Sequence, residues 1–170
     1  MDEKTIVLRL ALAALLGGAL GLERELRGQD AGLRTHILVS LGACCFTLAS
    51  IFIEVPLSAA GMPDGTRGDI SRIASQVVVG IGFLGAGVIL RHGGQVKGLT
   101  TAANLWLTAS VGLAAGLGFY VAASATVGIG LVALVGLRPL ERAIHGYRAQ
   151  HGLKADKDVA TSRDESPHSH

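Results

Sequence analysis

Long apolar stretches separated by short polar ones run through most of the chain. Stretches that are uncharged, or broken by one arginine, extend from Thr5 to Leu22, from Thr35 to Ile53 and from Ile73 to Leu90. Each approaches the length of about 20 apolar residues that a helix needs to cross the ~30 Å hydrocarbon core of a bilayer. We therefore predict three transmembrane helices. A signal peptide is the alternative for the first, but Arg9 interrupts it and no A-x-A cleavage site follows.

A fourth stretch, from Gly98 to Leu137, is uncharged and too long for a single crossing. As one helix of about 40 residues it would measure about 60 Å, roughly twice the thickness of the hydrocarbon core. We predict two helices with a turn between Gly116 and Tyr120, where glycines loosen the helix and tyrosine suits the interface. The predicted fold is an all-α membrane protein, a bundle of five transmembrane helices over residues 1–137. Residues 138–170 are predicted to form a short tail, partly disordered.

The distribution of basic residues predicts the orientation of this bundle. Polar connections at residues 23–34, 54–68 and 91–97 join the apolar stretches. In a five-helix topology most basic residues fall on one side of the membrane: Arg24, Arg27, Arg34, Arg91, Lys97, Arg138, Arg142 and Arg148. The other side has only Lys4, Arg67 and Arg72, with Arg9 ambiguous within the first helix. The positive-inside rule then makes the richer side cytoplasmic, so that the N-terminus lies outside and the C-terminus inside.

Composition agrees with a protein embedded in a lipid bilayer. The chain is 49% hydrophobic and 16% charged, with a mean hydropathy of +0.48, whereas a soluble domain carries about 25% charged residues. A net charge of +2 and scarce aromatic residues argue against a nucleic-acid partner. The adjacent Cys44 and Cys45 match no disulfide or zinc pattern and are predicted to pack as small hydrophobic residues.

Glycines are dense in the third and fourth apolar stretches. The segment from Gly80 to Gly85 fits the dinucleotide pattern GxGxxG, but no acidic residue lies between Asp69 and Glu141 to bind a ribose. In membrane helices, glycine allows a neighbouring backbone to come close. We therefore predict helix packing at these glycines: Gly80, Gly82, Gly85, Gly87, Gly112 and Gly116. Gly17 and Gly21 form a similar pair in the first stretch.

Polar residues form two stripes at helical spacing within the apolar stretches. One stripe consists of Asp69, Arg72 and Gln76, and the other of Thr100, Asn104 and Thr108. Polar residues inside membrane helices are costly and are candidates for function. Our hypothesis is that the two stripes face each other, with Gln76 hydrogen-bonded to Asn104. The simpler and favoured alternative is that they only hold helices together, at about 0.6 kcal/mol per bond.

Charged residues cluster after the first apolar stretch, at Glu23, Arg24 and Glu25. With Asp69, the two glutamates are the candidate ligands for Mg²⁺, which prefers oxygen ligands in octahedral geometry. The favoured alternative is a local ion pair between Glu23 and Arg27, four residues apart on one helix face. Arg34 and Arg72 are expected to pair with these carboxylates or to extend to the membrane interface.

No sequence motif supports catalysis. The chain has no Walker A, G-x-S-x-G or HExxH sequence, and no histidine at the middle of a predicted span. We predict that the protein is not an enzyme and has no cofactor, with Mg²⁺ left open as a bound ion.

Several motifs, in a fixed order, strongly resemble the MgtC/SapB family of bacterial inner-membrane proteins. They are Gly21–Glu25, Ala31–Thr35, Asp69 with Arg72, Gly80–Gly87, and Gly98–Ala103 followed by Trp106. The resemblance covers residues 5 to 137 and implies a multi-pass inner-membrane protein associated with Mg²⁺ limitation, acid stress and survival of pathogens in macrophages. Asn104 falls where the family places a functionally important polar residue. The best-known members continue into a soluble C-terminal domain, whereas a short tail follows Arg138 here.

Two functions follow as hypotheses. The resemblance implies a modulator of other membrane machinery, including the F-type ATP synthase. Such a modulator would act through helix contacts with a second copy or with another membrane protein. The alternative is direct transport of Mg²⁺ or another ion, using Glu23, Glu25 and Asp69 in an oligomer.

Overall fold

The computed structural model describes residues 1–59, 70–92 and 95–137, and positions 139, 140, 143, 144 and 147 of the tail. Its elements are the helices α1 (Glu3–Leu26), α2 (Leu33–Ala59), α3 (Ile70–Val88), α4 (Leu99–Leu117) and α5 (Tyr120–Gly136), and the strands β1 (Leu90–His92) and β2 (Gln95–Lys97). The described part therefore contains the long helices predicted from the apolar stretches, and a helical fold is confirmed apart from the short strands β1 and β2.

Two of these helices are long and apolar enough to cross a membrane. They are Glu3–Leu26 and the part of α2 from Leu33 to Phe52. The segments Ser75–Val88 and Tyr120–Gly136 are apolar but shorter. Membrane-spanning capacity is thus present in the described helices, while five crossings and their direction stay predictions.

Two helices end well beyond their predicted ends. α1 begins at Glu3, where Asp2 accepts a bond from the Lys4 N–H (3.4 Å). It continues through Glu23 to Leu26, where the N–H groups of Arg27 and Gly28 donate to carbonyls of its last turn. α2 continues to Ala59, through the first part of the predicted loop. Pro56 predicted a loop, but membrane helices tolerate proline, and α2 continues through this position. The rest of that loop, residues 60–68, lies outside the described residues.

The connection between α3 and α4 is a small hairpin rather than an irregular link. β1 and β2 pair antiparallel, with Leu90 opposite Lys97 and His92 opposite Gln95. Pairing satisfies backbone donors and acceptors that an extended link would leave to solvent. The hairpin ends at Gly98, whose φ of +87° suits glycine and starts α4.

The turn between α4 and α5 lies where the sequence predicted it. Gly118 has a φ of +85°, and the N–H of Phe119 donates to the carbonyl of Ala114 at 2.8 Å. This is the usual way for a left-handed glycine to end a helix. The turn also receives Arg9 of α1, whose Nη1 donates to the Gly116 carbonyl (2.6 Å) and whose Nε donates to the Tyr120 hydroxyl (3.3 Å). Arg9 therefore satisfies one of the carbonyls that the end of α4 leaves open.

α2 is the centre of the packing, in contact with glycines of two other helices. A Cβ added at Gly17 of α1 would lie 2.6 Å from the Cβ of Ser40, and one at Gly116 of α4 would lie 2.7 Å from the Cβ of Thr47. Both distances are too short for a side chain, so these glycines permit the observed helix spacing. Cys44 is buried in this core as predicted, whereas Cys45 is exposed.

Candidate functional site

Four polar side chains are buried together where α1, α2 and α4 meet. Arg24 is 2% exposed, His36 is 0%, Thr101 is 4% and Asn104 is 3%. We call these four residues the polar cluster. Burying polar groups is costly unless they are hydrogen-bonded, so the cluster is the first place to look for function.

Arg24 connects α1 to the following loop and to α4. Its Nη2 donates to the Oε1 of Gln29 at 2.6 Å and lies 3.4 Å from the Oγ1 of Thr101. The backbone N–H of Gln29 also donates to the Arg24 carbonyl at 3.1 Å, which holds the loop against the end of α1. Nη1 lies 3.9 Å from the Oε2 of Glu23. A buried guanidinium needs several partners to offset its desolvation, and these contacts supply them.

His36 and Asn104 connect α2 to α4. The Nδ1 of His36 lies 2.8 Å from the Gly32 carbonyl, and its Nε2 lies 2.8 Å from the Nδ2 of Asn104. A carbonyl only accepts and an amide nitrogen only donates. The ring is therefore the neutral tautomer with its proton on Nδ1, and Nε2 accepts the bond from Asn104.

Two buried oxygens in this region have no hydrogen-bond partner among the described residues. They are the Oδ1 of Asn104 and the Oγ of Ser40, one helical turn after His36. An unpaired buried acceptor typically costs about 1–3 kcal/mol. Folded proteins retain few unpaired buried polar groups, and each one calls for an explanation. The unpaired oxygen therefore makes Asn104 a candidate for function.

Glu23 and Glu25, the candidate metal ligands, have protein partners. Glu23 Oε1 forms an ion pair with Arg27 Nε, which was the favoured prediction. Glu25 Oε2 accepts the backbone N–H of Leu33 at 3.0 Å and so caps the N-terminus of α2. A Cβ at Gly32 would overlap the Glu25 carboxylate, so glycine leaves the room for this cap. Within the described ranges, no group of three or more histidine, cysteine or acidic residues lies close enough to hold a metal.

The predicted bond between Gln76 and Asn104 is wrong. Asn104 donates to His36 of α2 instead, and Gln76 is exposed on α3. The reason is that Gly112 and Gly116, on the same face of α4 as Asn104, allow that face to approach α2. Thr108 donates to the carbonyl of Asn104 in its own helix (2.8 Å), a common use of buried threonine.

The remaining predicted site residues are exposed or lie outside the residues whose side chains are described. Arg34 and Thr100 are exposed. Asp69 lies outside the described residues, and Arg72 is described only as part of the α3 backbone.

A family comparison supports a relationship for the whole helical part. The model of the MgtC family matches residues 10–143. The chain belongs to the MgtC family. The polar cluster lies entirely within the matched range, and the family resemblance deduced from the sequence motifs is confirmed.

Curated relatives in the MgtC family are longer than this chain. It is 47% identical to "Putative magnesium transporter YhiD" of Escherichia coli K12 over 117 residues, which are 67% of this chain and 52% of YhiD. It is 45% identical to "Protein MgtC" of Salmonella typhimurium LT2 over 149 residues, 85% of this chain and 59% of that protein. It is 42% identical to "Uncharacterized protein slr0014" of Synechocystis over 156 residues, 92% and 62%. The chain thus spans about half to three-fifths of these relatives. No solved structure matches it.

The six glycines for which helix packing was predicted in this MgtC-family chain fall into two groups. Gly112 and Gly116 lie directly against α2, and a Cβ at Gly85 would meet the Cβ of Ala102 in α4 at an ordinary 3.6 Å. The packing predicted for the other three is not found within one chain, because a Cβ would meet nothing described within 4 Å: Gly80, Gly82 and Gly87. These three are exposed on α3.

The sequence analysis assigned no role to three residues whose side chains make tertiary contacts in this MgtC-family fold. His36 and Thr101 belong to the polar cluster, and Arg9 binds the turn after α4. A signal for two of them was present, because an ionisable residue inside an apolar stretch has a partner as a rule. The identity of that partner depends on helix contacts that the local pattern does not contain.

Proposed function

We propose that this MgtC-family chain is a multi-pass protein of the bacterial cytoplasmic membrane with five crossings. The five described helices, the two that are long enough to span, and the asymmetry of basic residues support this. The N-terminus lies outside and the C-terminus inside. The polar cluster then lies at the cytoplasmic ends of α1, α2 and α4, since it contains Arg24 near the end of α1 and His36 near the start of α2.

The chain serves Mg²⁺ homeostasis under Mg²⁺ limitation or acid stress, as a non-enzymatic modulator of other membrane machinery such as the F-type ATP synthase. The observation that carries this proposal is the polar cluster, in which buried side chains bond to each other across three helices. Such bonds fix helix positions at one end of the bundle, and helix positions are what a membrane partner contacts.

The engagement of the nearby carboxylates favours the modulator over a carrier. A Mg²⁺ pathway needs oxygen ligands that replace part of the hydration shell. Glu23 instead pairs with Arg27, and Glu25 caps α2. Both carboxylates therefore have a structural role, which accounts for their position beside the polar cluster.

ATP-driven proton pumping in inverted membrane vesicles tests the modulator. Vesicles containing the chain should acidify at a different rate from vesicles lacking it, and Asn104→Ala should abolish that difference. Ser110→Ala is the matched control, because Ser110 lies on the same helix and donates only to the Leu107 carbonyl (2.7 Å). Equal pumping with and without the unaltered chain would refute modulation of the ATP synthase.

Ion transport is the second candidate, favoured by the name of the relative YhiD, which refers to magnesium transport. In that case Glu23, Glu25 and Asp69 would contribute ligands in an oligomer. Liposomes with the purified chain and an enclosed Mg²⁺-sensitive dye separate the two functions. We expect no flux above that of empty liposomes, and flux that Glu23→Gln abolishes would establish the carrier.

A further inference from the structure

An apolar groove of about 830 Å³ runs between α2 and α3, with α4 at its floor. Its walls include Gly42 and Phe46 of α2, Gln76, Gly80 and Leu84 of α3, and Ala109 of α4. The groove lies outside the polar cluster, and its floor is part of the packed core, because Ala43 and Ala109 belong to the same buried cluster. Since it is wide, and its lining includes the small residues Gly42, Gly80 and Ala109 between larger apolar ones, an apolar helix fits its shape better than a single side chain does.

One exposed stripe of α3 reaches this groove at Gln76 and Gly80. It consists of Gln76, Gly80, Phe83 and Gly87, and we call it the α3 seam. The spacing of 4, 3 and 4 residues is that of the contact face of helices that pack side by side. All four residues are exposed, and Phe83 is 82% exposed. A Cβ at Gly80 or Gly87 meets nothing within 4 Å, so the close approach that glycine allows is unused within one chain.

Gln76 determines what kind of occupant the groove requires. Its carboxamide lies at an otherwise apolar wall and makes no hydrogen bond with the described residues. Lipid tails offer no donor or acceptor, so an amide facing them loses its hydrogen bonds. The occupant must therefore be apolar over most of its length, narrow enough to contact glycine, and equipped with a polar group at the depth of Gln76.

We infer that the occupant is α3 of a second copy of this chain, packed seam to seam. Copies inserted in the same direction are related by a two-fold axis along the membrane normal, and such an interface is self-complementary. The two α3 helices then run parallel, so that each residue of the seam meets its own counterpart at the same depth. Gln76 meets Gln76, and a carboxamide both donates and accepts. This inference rests on the membrane placement proposed above but not on the link to magnesium.

Disulfide cross-linking in native membranes tests the inference directly. In a background of Cys44→Ala and Cys45→Ala, we compare Gly80→Cys with Gly82→Cys. The two positions are matched, because both are exposed glycines of α3 with open space around a Cβ. Because they are two residues apart, they lie about 200° apart around the helix axis and so on nearly opposite faces of α3. A disulfide needs Cα atoms within about 7 Å, so Gly80→Cys should give about tenfold more cross-linked dimer than Gly82→Cys.

Substitution by leucine gives a second and independent readout. Gly80→Leu should convert the purified protein from dimer to monomer in mild detergent, measured as mass by light scattering, whereas Gly82→Leu should remain dimeric. Gln76→Leu should weaken the dimer while leaving the cross-linking pattern of the seam intact. Neither leucine variant should disturb the single chain, because a Cβ at either position has no neighbour within 4 Å.

The opposing outcomes are distinct. A monomeric unaltered protein without cross-links at position 80 would mean that lipid or a different protein fills the groove, and would overturn the inference. Equal cross-linking at positions 80 and 82, or equal loss of dimer in both leucine variants, would also overturn it. Alkaline extraction of the same membranes separates the two proposals. If the chain stays in the membrane without cross-linking, only this inference fails, whereas release from the membrane removes the proposed placement itself.

Discussion

The bond between His36 and Asn104 is the contact on which the polar cluster depends most. Replacing Asn104 by alanine would leave the Nε2 of His36, in a residue that is 0% exposed, without its donor at 2.8 Å. A buried acceptor that loses its partner costs about 1–3 kcal/mol. Part of that cost is offset, because the unpaired Oδ1 of Asn104 disappears as well. We therefore expect Asn104→Ala to lower the free energy of unfolding by about 1–2 kcal/mol.

A double-mutant cycle isolates the bond from the rest of the substitution. His36→Ala removes the same contact from the other helix and also opens a cavity, so it should destabilise more than Asn104→Ala. In the double variant the bond is lost only once. The two effects should therefore fall short of additivity by about 0.6–1.7 kcal/mol, the range for hydrogen bonds between membrane helices.

The measurement is unfolding in mixed micelles, in which the fraction of a denaturing detergent is raised stepwise. The chain contains a single tryptophan, Trp106, which is 52% exposed and lies on α4 close to Asn104, so its fluorescence reports on this helix. Thr100→Ala is the control, since Thr100 is exposed on the same helix and should change stability by less than about 0.5 kcal/mol. Strict additivity of the two alanine substitutions would refute the bond, and with it the argument that the cluster fixes α2 against α4.

Three further substitutions test contacts outside that bond. Gly116→Ile should destabilise by about 2 kcal/mol or more, because even its Cβ would lie 2.7 Å from that of Thr47; a protease-resistance assay in membranes measures the loss. Arg9→Met should cost about 1–3 kcal/mol in the same unfolding assay, since the Gly116 carbonyl loses its donor at 2.6 Å, and an unchanged midpoint would contradict this. Gly32→Ala should displace the Glu25 carboxylate from the N-terminus of α2 and cost about 1 kcal/mol. Glu25→Gln in that background should then add little.

The sequence by itself determined the helices and some of the local contacts. The lengths of the apolar stretches predicted the helices, and the glycines on either side of Leu117 predicted the turn that Gly118 makes. The spacing of Glu23 and Arg27 predicted an ion pair within one helix turn. The ordered motifs also identified the family. All of these depend on residues close together in the chain, for which helical periodicity and turn chemistry are sufficient.

Only the tertiary structure decided which helix faces meet. In a soluble protein the apolar face of a helix is the inner one, but a helix in lipid is apolar on both sides, so hydrophobic pattern does not separate inside from outside. The pattern of the stripe containing Asn104 is compatible with α2 as well as with α3, the neighbour that was predicted for it. The glycines at 112 and 116 settled the matter by permitting contact with α2, which brought Asn104 to His36, 68 positions earlier in the chain.

The same limit explains why the sequence did not identify the packing partner of Gly80 and Gly87. Their sequence pattern predicted close packing, and the pattern is the same whether the partner is a helix of the same chain or of another. The fold directs Gly85 toward α4 and leaves the α3 seam facing outward. Helix periodicity fixes which residues share a face, whereas the choice of neighbour for that face depends on how all the helices pack together, which no local pattern encodes.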